Sequence, residues 1–195
     1  MAEERTPLVG GYSVGRIEPD TFRPIFAELR PRVFADTLSY DPRSLWTREE
    51  SEAIARLRER MGPVFELVLG VYQDSELVGW TMGWQDDAAT YRMVNTGVLP
   101  DHQGKGIYRA LLPFILDIVR REGFQVVVSY HCATNNAVIV PKLRAGFVIT
   151  GFELSDRFGL VVRLAHYFNE TRRRILDVRS GQQRPDAEVK RILGL

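Results

Sequence analysis

Cysteine is almost absent from this sequence: Cys132 is the one instance in 195 residues. No internal disulfide can form, which suits a reducing cytoplasm, the expected location. Histidine is nearly as scarce, at three, and no metal site is expected. Neither sign of charge prevails: 26 Lys and Arg against 25 Asp and Glu leave a formal net of +1. Such a balance offers no overall field for nucleic acid or an anionic membrane. Long hydrophobic runs are missing too. The strongest apolar stretches, such as Val64 to Tyr72, are strand-length and far short of the ~20 residues that cross a bilayer. The opening segment MAEERTPLVG has two early acids and no apolar core, so no signal peptide is expected. Internal repeats and low-complexity segments are likewise absent.

What is present is an ordinary globular composition, 45% hydrophobic with 16 glycines, long enough for one domain with an appendage. Gly11 to Ile17 alternates weakly and reads as a first strand. Asp20 is placed to cap a helix in which Phe22, Ile25, Phe26, Leu29 and Val33 recur at helical spacing, and Pro31 should kink or end it. Thr47 and Glu50 form a capping box for a second helix, with Ile54, Leu57 and Met61 on one face and Gly62-Pro63 as its stop. The period then changes to two. Val64 to Gln73, Leu77 to Gln85 and Tyr91 to Leu99 are separated by short polar turns and read as an antiparallel meander. A glycine-bearing loop follows Pro100. Next comes an amphipathic helix with Ile107, Leu111, Phe114, Ile115 and Ile118 inward, bent at Pro113 and ended by Gly123. The strands Gln125 to Cys132, Phe147 to Leu154 and Leu160 to Phe168, with a short helix from Asn135 to Ala145, complete the body. This order predicts an α+β fold, residues 1–168, with a mixed sheet and helices on both faces. Residues 169–195 form a helical appendage with seven Lys and Arg against four Asp and Glu.

The stretch that carries chemistry is TGVLPDHQGKGIY, Thr96 to Tyr108. A strand runs out, the chain turns at Pro100, and Gly104 and Gly106 precede a helix. Without side chains at the glycines, successive backbone N–H groups can converge on an anion, aided by the positive end of the helix and by Lys105. On its own, such a turn is more often only a turn. The spacing matches neither the dinucleotide motif G-x-G-x-x-G nor the P-loop.

These residues resemble the acetyl-CoA motif of the GCN5-related N-acetyltransferases, [QR]-x-x-G-x-[GA], with Gln103, Gly106 and Tyr108 in the defined places. The preceding V-x-P (Val98 to Pro100) and the later Asn135 and K-L-R-A-G-F (Lys142 to Phe147) are similar to further signatures of that family. The resemblance covers about Val64 to Leu154. It implies a mainly antiparallel sheet with a splayed central strand pair, and acetyl-CoA lying in the splay. The backbone of Thr96, Gly97 and Val98 would hold the pantetheine arm and polarise the acyl carbonyl. Amides of Gly104, Lys105, Gly106, Ile107, Tyr108 and Arg109, beside Gln103, would hold the pyrophosphate, and Asn135 would contact the arm.

The sequence departs from the family at three places. Tyr108 stands where glycine or alanine is usual. Lys142 stands four before Gly146, where many members carry the tyrosine that protonates the leaving thiolate. Tyr130 stands where some carry a glutamate base. The candidate catalytic residues are therefore Tyr130 and His131, the latter because an unperturbed imidazole, pKa ~6.5, is suited to taking a proton near neutrality. A partly exposed strand histidine held by a neighbour is the plainer reading of His131. Cys132 is expected to be a buried, inert thiol, and Trp80, Trp84 and Tyr91 core aromatics before pocket walls. Asp86 and Asp87 read as turn residues, and Arg172 to Arg174 as a solvated face. The expected activity is transfer of an acetyl group from acetyl-CoA to an amine, of a small molecule or a peptide, in a ternary complex. Another acyl-CoA, or CoA binding without catalysis, are the alternatives. Apolar residues of the tail, Ile175, Leu176, Val189, Ile192 and Leu193, point to assembly such as a homodimer, not to nucleic acid.

Overall fold

The period-two stretches between residues 64 and 99 become three long antiparallel strands, β3 (Glu66–Gln73), β4 (Glu76–Gln85) and β5 (Thr90–Val98). They stand at the centre of a computed structural model that describes residues 5–34 and 40–195; the first four residues of the N-terminal segment lie outside that range. Toward one edge run β2 (Tyr12–Arg16) and the short β1 (Thr6–Pro7). Toward the other run β6 (Val126–Cys132), β8 (Gly159–Tyr167) and β7 (Val148–Ser155), giving the order β1-β2-β3-β4-β5-β6-β8-β7. Every neighbouring pair is antiparallel except β5 and β6. A parallel pair needs a crossover, supplied by α3 (Ile107–Arg121).

Two helices cover the α3 face of the sheet, α3 itself and α4 (Asn136–Arg144). Leu111, Leu112, Ile115 and Val119 of α3 pack there with Leu67, Leu69, Tyr91, Val127 and Leu164 from the strands. The inward set is the expected one with Leu112 and Val119 added, while Phe114 and Ile118 are only partly buried against it. The opposite face is covered by α1 (Pro19–Val33), whose Phe22 and Leu29 pack on Ile17, Val68, Tyr72 and Trp80. Trp80 and Tyr91 are fully buried and belong to the core.

Two expectations about the first helices are corrected. The α1 cap is Glu18, not Asp20, and makes no side-chain capping bond. Pro19, with its fixed φ, occupies the first turn, and Asp20 lies beside the positive helix end. Of the two outcomes expected at Pro31, a kink or an end, the end is not met, since α1 continues to Val33. The carbonyl that Pro31 deprives of a donor belongs to Ala27, an exposed residue. The capping box of α2 (Arg48–Met61) is present in full, Glu50 N–H donating to Thr47 Oγ1 at 3.2 Å and Thr47 N–H to Glu50 Oε2 at 2.8 Å. Its apolar face is not buried, however: Leu57 and Met61 are 56% and 68% exposed.

The C-terminal residues form α5 (Glu170–Arg179) and α6 (Ala187–Leu193). Three of their arginines have partners within the chain. Arg173 pairs with Asp177 at 3.0 Å and donates to the Gly146 carbonyl at 2.7 Å, and Arg174 pairs with Asp186 and Glu188. Arg172 lies over the Tyr167 ring.

At Gly83, where β4 meets β5, a Cβ would stand 2.3 Å from the Arg92 carbonyl and 2.4 Å from Tyr91 Oη. Gly83→Ala must push the two strands apart and should cost ~1–3 kcal/mol. Gly151→Ala, with nothing within 4 Å of the added atom, should leave the thermal midpoint unchanged. Equal midpoints for the two variants in thermal denaturation would contradict this packing.

Candidate active site

The register of β5 and β6 creates the site. The strands pair at only four positions, Thr90↔Val126 through Met93↔Ser129, although β5 continues to Val98 and β6 to Cys132. The divergence has a local cause. On the β4 side Met93 faces Gly83 and Asn95 faces Met82, so Val94 is an extra residue, a β-bulge. A bulge bends its strand and raises the twist, and pairing with β6 stops one residue earlier. Past the fork, Thr96, Gly97 and Val98 pair with Thr81, Trp80 and Gly79 on one side only. Their other edge faces the gap, with backbone groups open to a peptide-like ligand. The Val98 carbonyl also accepts from Gln103 Nε2 at 2.9 Å, which ties the turn to the strand.

The turn after β5 opens on a short 3-10 segment, Pro100–His102, and continues through Gly104 (φ 74°) and Gly106 (φ 80°). Both glycines occupy left-handed backbone that disfavours other residues, and Gly106 is the α3 cap. Gln103 N–H donates to Pro100 O at 3.1 Å. Among the described residues, the next N–H along the chain to find a backbone carbonyl is that of Ala110, which donates to Gly106 O at 3.0 Å. Six successive N–H groups, from Gly104 to Arg109, therefore stand without backbone acceptors at the positive end of a fifteen-residue helix. Lys105 and Arg109 are exposed beside them, Ile107 is buried in the core, and Tyr108 is half-buried, with burial pushing its hydroxyl pKa up. Asn135 caps α4 with no side-chain hydrogen bond and is exposed. A groove of about 540 Å³ between β2 and α3, lined by Val14, Arg16, Phe114 and Arg121 among others, shares no residue with this turn or the fork.

Tyr130 and His131 follow the last paired residue of β6 and point to opposite faces. Tyr130 lies under Arg92, whose guanidinium carbon is 4.5 Å from the ring centroid, and its hydroxyl accepts from Arg163 Nε at 3.2 Å. His131 shares the α3 and α4 face with Ser129, its Nε2 3.1 Å from Ser129 Oγ. Burial, and then the nearby Lys142, lower its pKa to about 3. At that value the ring is neutral near pH 7. Cys132 is exposed, not buried, because it lies at the strand end, its Sγ 3.7 Å from the Phe158 carbonyl.

Lys142 is the feature that residue-by-residue reading undervalued. Its side chain is 1% exposed. Nζ donates to Ser129 Oγ at 2.6 Å and contacts Met93 Sδ at 3.3 Å, reaching the last paired residue of each forked strand. The Phe147 ring centroid lies 4.8 Å away. No carboxylate is paired with it among the described residues. Burial alone pulls the amine down to about 7. The signal available in the sequence was Lys142 at a position that the helical period turns toward the sheet.

In the unfolded chain this amine titrates near 10.5 and in the folded chain near 7, so the unfolded state binds more protons between those values. The group's stabilisation is complete above about pH 10.5 and is lost as pH falls to about 7. Lys142→Met lacks that penalty. Its stability advantage over the wild type should be greatest near pH 6 and shrink toward about pH 10. A pH-independent difference in denaturant midpoint would argue against a depressed amine.

Comparison with known proteins places this geometry. The sequence model described as the Acetyltransferase (GNAT) family matches residues 18–147. No curated protein sequence matches the chain. Among solved structures, the ribosomal-protein-S18-alanine N-acetyltransferase of Escherichia coli is 18% identical, with a TM-score of 0.58 over 81% of this chain and 94% of that one. The structure of yncA from Salmonella typhimurium with its cofactor acetyl-CoA is 20% identical, with a TM-score of 0.59 over 83% and 96%. A spermidine N-acetyltransferase chimera of Vibrio cholerae SpeG and hSSAT is 16% identical, with a TM-score of 0.58 over 81% and 96%. Those identities speak for the fold. The family model, spanning 18–147 of 195 residues and enclosing both the forked strand pair and the glycine turn, shows that the chain belongs to the GNAT acetyltransferase family.

Proposed function

We propose that the protein moves an acetyl group from acetyl-CoA directly to an amine, with both bound together. The observation that carries this reading is the run of six N–H groups from Gly104 to Arg109 without backbone acceptors, at one end of a strand gap with an open backbone edge. A pyrophosphate fits the first feature, since its oxygens need donors and gain from the helix end. The amides of a pantetheine arm fit the second, because they can pair with the free edge of Thr96, Gly97 and Val98 as a strand would. Lys105 and Arg109 add positive charge at the pyrophosphate end, and Asn135 has an unoccupied side-chain amide at the α4 end of the gap.

The thioester brings its own activation. The chain's residues align the amine, keep water from the gap and place backbone donors where negative charge develops. The acceptor reaches the gap from the face that carries Tyr130: α3 and α4 occupy the other, and α1 packs on the cluster around Trp80, apart from the cluster of Val126, Val128 and Tyr130. There Tyr130, held between Arg92 and Arg163, is the side chain at the fork that positions the acceptor. His131 stays neutral, so the acceptor's proton passes to water. Small amines and peptide amines are both acceptor classes for this site. Solved structures of this fold include a ribosomal-protein alanine acetyltransferase and a spermidine acetyltransferase chimera.

Acetyl-CoA at 100 times its dissociation constant should stabilise the protein by ~2.7 kcal/mol. Gly106→Asp puts a side chain in left-handed backbone (φ 80°) and a carboxylate in the anion seat, and should abolish both the thermal shift and the calorimetric signal. A wild type that binds neither acetyl-CoA nor CoA in those assays overturns the reading. Binding without product across a panel of amines favours a CoA-binding module.

A further inference from the structure

Thioester aminolysis creates two proton demands. As nitrogen bonds to the acyl carbon the amine gives up a proton. As the carbon–sulfur bond breaks, its electron pair goes to sulfur, which must be protonated for a stable thiol to leave. Solvent can meet the first demand, but the second arises deep in the gap. The ionisable groups near the fork on the α3 and α4 face are few: Lys142 on α4, His131 on β6, Tyr91 on β5 and, beyond Phe147, His166 on β8. Burial raises the Tyr91 hydroxyl pKa. His166 lies against Phe147 and Phe168, away from Ser129. Among the described residues, the ionisable side chains hydrogen-bonded to Ser129 are Lys142 and His131.

A buried ammonium without a carboxylate is expensive, and its attachments here are directional. Ser129 Oγ accepts from Lys142 Nζ at 2.6 Å, so its own hydrogen is free to point at His131 Nε2, 3.1 Å away. His131 is half-buried and two residues past the last β5–β6 pair. The three groups form an unbroken line from the core to the fork.

We propose that Lys142 stores the proton for the departing sulfur and delivers it through the Ser129 hydroxyl and the His131 ring. This rests on the acetyl-transfer reading above. Nζ gives a proton to Ser129 Oγ as the serine's own proton moves to His131 Nε2 and the Nδ1 proton of the same ring goes to sulfur. Lys142 ends neutral, Ser129 unchanged and His131 in its other tautomer, with no imidazolium formed. Solvent at the exposed edge of the ring returns it to the starting tautomer and recharges the amine through the same line. The environment suits the role: an amine held near 7 is about half protonated at neutral pH and gives up its proton readily. A neutral ring of depressed basicity relays a proton without keeping it. Lys142 and Ser129 act through His131, so they are positioning and supply residues.

Three proteins test this: Lys142→Met, Ser129→Ala and the double variant, each first shown by calorimetry to bind CoA. Turnover in either single variant should fall by ~10²–10⁴, and the double should be no worse than the worse single. The wild-type profile should decline above about pH 7 as Lys142 loses its proton, and both variants should lose that declining limb. A second readout needs no turnover. Ultraviolet absorbance of bound CoA at about pH 6, where Lys142 is charged, should show a thiolate fraction at least about tenfold larger in the wild type than in Lys142→Met. Variants that bind CoA, keep the declining limb and show the wild-type thiol titration overturn the relay. Loss of activity in Lys142→Met alone, with Ser129→Ala unaffected, also overturns it, by removing the serine from the path. Ser129→Ala, a small change at a buried site, decides the matter if Lys142→Met does not fold. A wild type that fails to bind CoA refutes the acetyl-transfer reading instead.

Discussion

Four residue pairs hold β5 and β6 together, and the structure depends on that ladder stopping where it does. With full pairing to Val98 the gap would be closed and the edge of Thr96 to Val98 would be spent on β6. With none, α3 would have no parallel crossover to make. The stop is set by a single extra residue, Val94, whose bulge bends β5 while the β4 ladder continues past it. The cost of unpaired edge backbone is offset only when something else supplies the hydrogen bonds, so this gap is an energetic argument for a peptide-like ligand as well as a geometric one.

The base of the fork is polar where a core would be apolar. Ser129 is fully buried and Lys142 nearly so, beside Met93 and Phe147. Replacing such a group by an apolar one is commonly neutral or stabilising, so packing does not account for the lysine. Its partners are neutral and few, which keeps the amine easy to deprotonate. A carboxylate in the same place would have fixed it charged. The same burial, with the positive neighbour, silences His131 as a base near neutrality.

Far from the fork, the basic tail is folded back on the body. Arg173 joins Asp177 to the Gly146 carbonyl, at the turn that follows α4. Because α4 carries Lys142, α5 braces the end of the helix on which the buried amine depends. Two of the tail's arginines, Arg173 and Arg174, are held in such internal ion pairs, a use that composition does not display, and the exposed apolar face of α2 was equally invisible from spacing, which gives a helix its stripe but not its partner.

Local chemistry alone determined much of this protein. The Thr47 capping box, the alternation from Val64 to Leu99 and the glycines at 104 and 106 act within a few residues, so their consequences are readable in order along the chain. The turn from Gln103 to Tyr108 was legible for the same reason, since its run of backbone amides without backbone acceptors is one continuous segment. Tertiary structure decided the rest. Whether Val94 is bulged depends on Met82 and Gly83 in another strand. Whether Lys142 is solvated or sealed depends on Met93, Ser129 and Phe147, which are distant in sequence or on other elements. A pKa is fixed by what surrounds a group after folding, and no pattern of neighbours in sequence carries that information.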